Sequence, residues 1–150
     1  MNLSFATLGC PKWEMNKIIS TATELGYDGI DFRGYQGQLK IYELDEFTNK
    51  IDKTLEKIQN AGLSVSGFSS SVQVACGESS AKKEFLNEIL EYCRLCKKFG
   101  TRYIRVFGGK IGNRSRTEAL KAASSFLSEI AKIAEDNAVE ILIETHDDWI

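Results

Sequence analysis

The 150-residue sequence lacks the features that mark several common classes of protein. Lys and Arg number 19 and Asp and Glu number 21, so the net charge is −2 and the basic excess of a nucleic-acid-binding domain is missing. No apolar run is long enough to span a bilayer. The first residues also lack the basic and apolar segments of a secretory signal. We therefore expect a cytoplasmic protein that binds neither nucleic acid nor membrane.

Cysteine is sparse, and its placement argues against a disulfide-stabilised fold. A chain of this length buries an ordinary hydrophobic core without disulfides. Cys93 and Cys96 form a CxxC pair, which could bind a metal or undergo redox chemistry. Both, however, fall on the apolar face of a predicted helix with Phe85 and Phe99. We therefore expect them to be reduced, buried and metal-free.

Strand and helix patterns alternate regularly along the chain. β-Branched and apolar runs predict strands at residues 3–8, 27–33, 63–68 and 101–107 and from Val139 onward. Apolar residues at helical spacing predict helices over 15–25, 44–58 and 80–99, and a fourth that follows the capping box Ser115–Glu118. The second to fifth strands begin at 27, 63, 101 and 139, the spacing of one strand-helix unit. This pattern predicts one α/β domain over residues 1–150 with a parallel sheet.

Charged side chains collect near the carboxyl ends of the predicted strands, where parallel α/β folds place their functional sites. Asp31 and Arg33 end the second strand, Arg105 lies in the fourth, and Glu144 and His146 end the fifth. Because a strand has a period of two, we expect all five to lie on the face that points away from the helices. A carboxylate beside the only histidine could bind a divalent metal or transfer protons. Glu144 and His146 are therefore the candidate catalytic residues.

Structural interpretations of the same residues remain open. Asp31, Arg105 and Glu144 could form an ion network that only holds the sheet in shape, because buried charges must pair. Ser69 lies in a serine run at the predicted exit of the third strand, where it could bind a polyol or simply belong to a loop. Trp13 could cover the face of a sugar or pack at the rim of the fold.

Three stretches of the chain resemble the xylose isomerase-like TIM-barrel superfamily, in its sugar phosphate isomerase/epimerase branch. They are ELGYDGID at residues 24–31, YIRVFGG at 103–109 and IETH at 143–146. The resemblance implies that the chain is the N-terminal part of an eight-stranded barrel, with its first five strands and four helices. Such a barrel takes about 250 residues.

The resemblance also implies a divalent metal, Mn²⁺, Mg²⁺, Co²⁺ or Zn²⁺, at the carboxyl mouth of the barrel. Glu144 matches the metal ligand that family members place at the end of the fifth strand. Their further ligands, an Asp, a His and a Glu from later strands, have no counterpart in this chain. Asp31 stands where the family usually has a longer Glu.

The implied activity is the isomerisation or epimerisation of a sugar or sugar phosphate. In such a reaction the metal polarises a carbonyl, one carboxylate removes a proton and a second returns it. Glu144 would be a metal ligand and one of the carboxylates, His146 would bind a substrate oxygen, and Arg105 would keep Glu144 ionised or bind a substrate anion. The other candidate substrate-binding residues are Asp31, Arg33, Ser69 and Trp13.

An alternative hypothesis is a non-catalytic half-barrel that serves in binding or assembly. On either hypothesis we expect the 150-residue chain alone to be inactive, to bind metal weakly and to self-associate through its open sheet edges. A third possibility, the abasic-site endonuclease type of the same superfamily, is disfavoured. That type needs several histidines over a metal cluster, and this chain has only His146.

Overall fold

A computed structural model describes residues 1–76 and 79–149. Five parallel strands form one open sheet in the order β1-β2-β3-β4-β5, with four α-helices between them. The predicted fold class, the first five strands and four helices of a (β/α) barrel, is confirmed. The strands are β1 (Ser4–Ala6), β2 (Gly29–Phe32), β3 (Ser64–Gln73), β4 (Tyr103–Phe107) and β5 (Glu140–Glu144). The helices are α1 (Met15–Glu24), α2 (Ile51–Asn60), α3 (Ser79–Phe99) and α4 (Arg116–Asp136).

Alternating residues of the strands build the core between sheet and helices. Ile30 and Phe32 of β2, Phe68 of β3 and Ile104 and Val106 of β4 are all 0% exposed. Aromatic rings extend this layer, and Phe32 and Phe47 meet edge to face with centroids 5.1 Å apart. Fully burying side chains of this size stabilises a fold by about 1.5–3 kcal/mol each. The opposite face of the sheet is left to the intervening, mostly polar residues.

The third strand is longer than the sequence predicts. Serines 69–71 lie inside β3, and not in a loop after it, because neighbouring groups satisfy their polar atoms. The hydroxyl of Ser70 donates to the carbonyl oxygen of Arg105 at 2.7 Å. Beyond the strand, the N–H of Val74 still donates to the carbonyl of Phe107 at 2.9 Å. The register of β3 and β4 shifts between Ser69 and Gln73, so the serine run accommodates an irregularity of the sheet.

Several other boundaries also differ from the predicted ones, and β2 and β4 each begin two residues later than expected. The first strand stops at Ala6, and a 3₁₀ turn over Thr7–Gly9 replaces its predicted end. The predicted helix at 44–58 begins only at Ile51, after two 3₁₀ turns. The hydroxyl of Thr48 donates to the carbonyl of Leu44 at 2.9 Å, a local bond that competes with a regular helix.

The fourth helix begins at the predicted capping box. The N–H of Glu118 donates to Oγ of Ser115 at 3.2 Å, and the N–H of Ser115 donates to the Glu118 carboxylate at 2.8 Å. This reciprocal pair satisfies groups that a helix end leaves unpaired. In the part of the chain that the structure describes, no helix is both long and apolar enough to cross a membrane.

Candidate functional site

Four of the predicted site residues meet on the open face of the sheet, near the carboxyl ends of its strands. The Ser69 hydroxyl on β3 donates to Oδ2 of Asp31 on β2 at 2.8 Å. On the next two strands, Nε of Arg105 lies 3.2 Å from Oε2 of Glu144. Arg105 also donates from Nη1 to the carbonyl of Ser70 at 3.0 Å. The period of two therefore places Asp31, Arg105 and Glu144 on one face, as the sequence predicts, and Ser69 joins them from inside β3.

The ring of Phe107 connects the remaining charged candidates to this group. Cζ of Arg105 lies 3.9 Å from the ring centroid of Phe107, and Cζ of Arg33 lies 5.9 Å from it. The imidazole of His146 meets the same ring edge to face, with centroids 5.8 Å apart. An aromatic face attracts guanidinium groups, so this ring helps to hold both arginines in place. Phe107 is not among the predicted site residues, although its alternation with Arg105 puts both on one face.

Burial and charge act against each other at Asp31 and Arg105. Burial raises the pKa of Asp31, while the hydrogen bond from Ser69 and the positive charges of Arg105 and Arg33 oppose that rise. Burial lowers the pKa of Arg105, and the Glu144 charge opposes that fall. Carboxylates in such mixed surroundings can exchange protons closer to neutral pH than exposed ones. Glu144, whose side chain is 45% exposed against 15% for Arg105, is the more accessible member of its ion pair.

Glu88 of α3 is a buried carboxylate that the sequence analysis missed. The residue is 4% exposed, and Oε1 accepts the N–H of Ser71 at 2.6 Å. Burial raises the pKa of Glu88, against the opposing effects of the Ser71 hydrogen bond and the Arg33 charge. A sequence signal was present, because Glu88 lies three residues after Phe85 and four before Tyr92, on the buried stripe of the helix.

Trp13 is the one candidate that the structure does not bring into this group. It lines a small cavity beside α1 with Phe5, Cys10 and Leu25, on the helix side of β1. Its indole ring lies 5.5 Å from Nζ of Lys17. Its suggested contact with a sugar therefore stays a prediction.

The described residues do not amount to a metal centre. Among them there is no group of three or more His, Cys, Asp and Glu side chains that could hold a metal ion. Glu144 offers one carboxylate, which Arg105 already contacts. Firm sites for divalent metals use at least three protein ligands for zinc and more oxygen ligands for calcium. Glu144 thus fits a metal only as a single ligand.

The CxxC cysteines lie in the core, as the helical pattern predicts. Cys93 and Cys96 are 2% and 0% exposed, and both thiols are free of disulfides. Burial raises the pKa of Cys93 to about 11 and that of Cys96 to about 12. Thiols that ionise so reluctantly are poor nucleophiles.

Comparison with known proteins identifies the fold family. A family model described as xylose isomerase-like TIM barrel matches residues 19–150. A search of curated protein sequences finds no match to the chain.

Among solved structures, a protein named IOLI with a bound zinc atom is 21% identical, with a TM-score of 0.80 over 97% of this chain and 51% of its own. The probable 3-DHS dehydratase AsbF from Bacillus anthracis is 19% identical, with a TM-score of 0.78 over 97% of this chain and 53% of its own. The 3-keto-D-glucoside 4-epimerase YcjR from E. coli is 16% identical, with a TM-score of 0.77 over 99% of this chain and 57% of its own. Other matched structures are named as sugar epimerases and as an AP endonuclease. The chain spans about half the length of the solved structures that it matches, and identities this low show the fold alone.

Proposed function

Because the chain belongs to the xylose isomerase-like TIM barrel family, we propose that it forms part of an isomerase or epimerase that acts on a sugar or sugar phosphate. The observation that carries this proposal is the Arg105–Glu144 ion pair beside the Asp31–Ser69 hydrogen bond, at the carboxyl ends of neighbouring parallel strands. Members of a fold family differ in their reactions, so the residues of this site, and not the fold, support a particular reaction.

Glu144 is the residue that we assign to proton transfer. Its carboxylate is accessible, and its contact with Nε of Arg105 at 3.2 Å holds it in position to take a substrate proton. In the proposed reaction Glu144 takes the proton from the carbon next to the substrate carbonyl, and the electron pair of that bond moves onto the carbonyl oxygen. Return of a proton to the former carbonyl carbon, with the adjacent hydroxyl losing its proton to become the new carbonyl, gives an isomer. Return of a proton to the opposite face of the same carbon, from a second acid on that face, gives an epimer.

The surrounding residues would bind and orient the substrate. Asp31 and Ser69 present a carboxyl and a hydroxyl to substrate hydroxyl groups, and they already contact each other at 2.8 Å. His146 would bind a substrate oxygen at the rim, where Phe107 supports its ring. A divalent metal enters the proposal through Glu144 as one ligand, and its other ligands would come from outside the described residues.

A second candidate function is a non-catalytic half-barrel for binding or assembly. It is favoured by the exposed apolar side chains of the edge strand β5, where Leu142 and Ile143 are 46% and 45% exposed. An edge strand of this kind can pair with another chain. The two functions differ in whether any sugar is turned over.

The test is proton exchange with solvent. The native gene product is incubated in D₂O with aldoses, ketoses and their phosphates, and NMR follows deuterium at the carbons next to the carbonyl. We expect exchange with at least one sugar, and a loss of about a hundredfold or more in Glu144→Gln. Glu140→Gln is the matched control, because Glu140 forms a similar pair with Arg102 at 3.2 Å at the other end of β5. No exchange with any sugar, or equal exchange in both variants, would count against an isomerase.

A further inference from the structure

Arg33, which follows the last residue of β2, is held in place at three points. Its backbone N–H donates to Oγ1 of the buried Thr7 at 2.9 Å, and the Thr7 hydroxyl in turn donates to the carbonyl of Gly34. At the other end of the side chain, Nη1 donates to Oγ of Ser71 at 3.1 Å. The guanidinium also lies beside the ring of Phe107. Its position is therefore fixed before any ligand arrives.

The guanidinium groups of Arg33 and its neighbour Arg105 differ in whether a carboxylate pairs with them. Arg105 has the Glu144 carboxylate at 3.2 Å. Among the side chains that the structure describes, no carboxylate oxygen lies within 4.0 Å of the Arg33 guanidinium nitrogens. The recorded side-chain hydrogen bond of Arg33 goes to a neutral hydroxyl and uses one of five N–H donors. The Asp31 and Glu88 charges act on Arg33 only from beyond ion-pair distance, so its other N–H donors can serve an anionic ligand.

The buried carboxylate of Glu88 holds the backbone of Ser71, the residue that accepts the Arg33 hydrogen bond. Glu88 accepts the N–H of Ser71 at 2.6 Å, which fixes the backbone of the residue whose hydroxyl meets Arg33. Glu88 is 4% exposed, so it cannot meet a substrate itself, and it acts through Ser71. A planar guanidinium that is oriented in this way matches the paired oxygens of a carboxylate or phosphate, which a lysine ammonium does not.

We propose that Arg33 and Ser71 form an oxyanion subsite that binds a phosphate or carboxylate group of the substrate, with Glu88 as a positioning residue. The subsite adjoins the candidate catalytic pair, because Arg33 and Arg105 flank the same Phe107 ring. This inference rests on the proposed function, and it specifies an anionic carbohydrate as the substrate class.

Binding calorimetry on the native gene product tests the subsite. Inorganic phosphate probes for a sugar phosphate, and D-gluconate probes for a sugar acid. We expect at least one of them to bind, and Arg33→Gln to weaken that binding by about tenfold or more. Ser71→Ala removes the hydroxyl but keeps the N–H bond to Glu88, and it should cause a smaller loss. Arg33→Lys keeps the charge and should recover part of the binding, and Arg102→Gln, at the other end of the sheet, should match the wild type.

The outcome distinguishes the two anion sources and a purely structural role. Binding of phosphate alone indicates a sugar phosphate, and binding of gluconate alone indicates a sugar acid. If neither anion binds, or if Arg33→Gln binds as tightly as the wild type, the proposal is overturned. A structural role of Arg33 would lower the melting temperature of Arg33→Gln while leaving the affinity of the folded protein for the anion unchanged, which also overturns it.

Kinetics separates this inference from the proposed function. With an anionic sugar we expect Arg33→Gln to raise KM by about tenfold with little change in kcat, because the subsite binds a substrate group that does not react. If the protein turns over neutral sugars equally well in wild type and Arg33→Gln, the subsite fails while the isomerase stands. If no sugar is turned over but phosphate binding depends on Arg33, the isomerase fails while the subsite stands.

Discussion

Arg105 reaches Glu144 diagonally across two strands. The register of β4 and β5 places Leu142 opposite Arg105 and Glu144 opposite Phe107, yet Nε of Arg105 lies 3.2 Å from Oε2 of Glu144. The side chain therefore points toward the carboxyl end of the sheet, where its Nη1 also meets the carbonyl of Ser70 on β3. One guanidinium thus joins three successive strands at the level of the candidate site.

The first prediction concerns the shape of this guanidinium. Arg105→Lys keeps the charge but cannot contact Glu144, Ser70 and the Phe107 ring at once, because an ammonium lacks the planar fork. We expect the free energy of unfolding to fall by about 2 kcal/mol in urea titrations. Arg102→Lys is the control, because Arg102 is 62% exposed and pairs with Glu140 at the surface, and its loss should be smaller. Equal losses of unfolding free energy in the two variants would mean that the Arg105 contacts stabilise the fold no more than the surface pair of Arg102 does.

The second prediction concerns pH. Burial raises the pKa of Glu88 above the value of the unfolded chain, so the ionised carboxylate lowers stability at neutral pH. As the pH falls from the pKa of Glu88 in the folded protein toward its lower pKa in the unfolded chain, the carboxylate is protonated and this loss of stability disappears. Glu88→Gln keeps an acceptor for the Ser71 N–H without the charge, and we expect it to be more stable than the wild type at pH 7. The difference should shrink in denaturant titrations near pH 4.5, and a constant difference would contradict this account.

The third prediction concerns the buried thiols. Cys93 and Cys96 should react with a thiol reagent at pH 8 only as fast as the fold opens, because both are buried and have raised pKa values. Cys76 is only partly buried and provides the internal comparison. Rapid labelling of both CxxC thiols in the native protein, or zinc bound through them, would show that they are not ordinary core residues.

The fourth prediction concerns metal in the isolated 150-residue chain. One carboxylate and a nearby imidazole are too few ligands for a firm site, so calorimetry with Mn²⁺ or Zn²⁺ should detect only weak binding. Glu144→Gln should abolish the metal binding that depends on the candidate site. Glu140→Gln should leave that binding unchanged. A tight site in this chain would require ligands that the described residues do not bring together.

The fifth prediction concerns the edge of the sheet. In the isolated 150-residue chain, β5 pairs with β4 on one side only, and its Leu142 and Ile143 side chains are about half exposed. We expect this chain to self-associate in light scattering, and Ile143→Lys to shift it toward monomer because an edge charge opposes pairing. Leu25→Lys, at an exposed position 66% accessible after α1, is the control. A monomer at high micromolar concentration would refute the prediction.

The sequence predicted the sheet well because its main signals are local. Helical spacing, the Ser115 capping box and the repeat of strand-helix units determine the order of elements without reference to distant contacts. The period of two also placed Arg105 and Glu144 on one face. Local patterns therefore predict the order and facing of the elements wherever each residue type has the usual propensity for the element in which it lies.

The missed features depend on partners far along the chain. Serine runs favour loops, but Ser70 lies in a strand because the carbonyl of Arg105 accepts its hydroxyl. Glu88 looks like an interruption of an apolar stripe, and only the fold reveals that Ser71, 17 residues earlier, supplies its hydrogen bond. Sequence spacing could not supply these pairings, since each joins two different elements.

The spatial order of the strands has a consequence for synthesis on the ribosome. Each strand lies beside the strand that precedes it in the chain, so every new β/α unit finds its neighbour already translated. These five strands can therefore pair in the order of their synthesis. Asp31 and Ser69 can meet early in this sequence of events, whereas Arg105 gains Glu144 only when β5 emerges. The candidate base thus comes with β5, the last of these five strands to be translated.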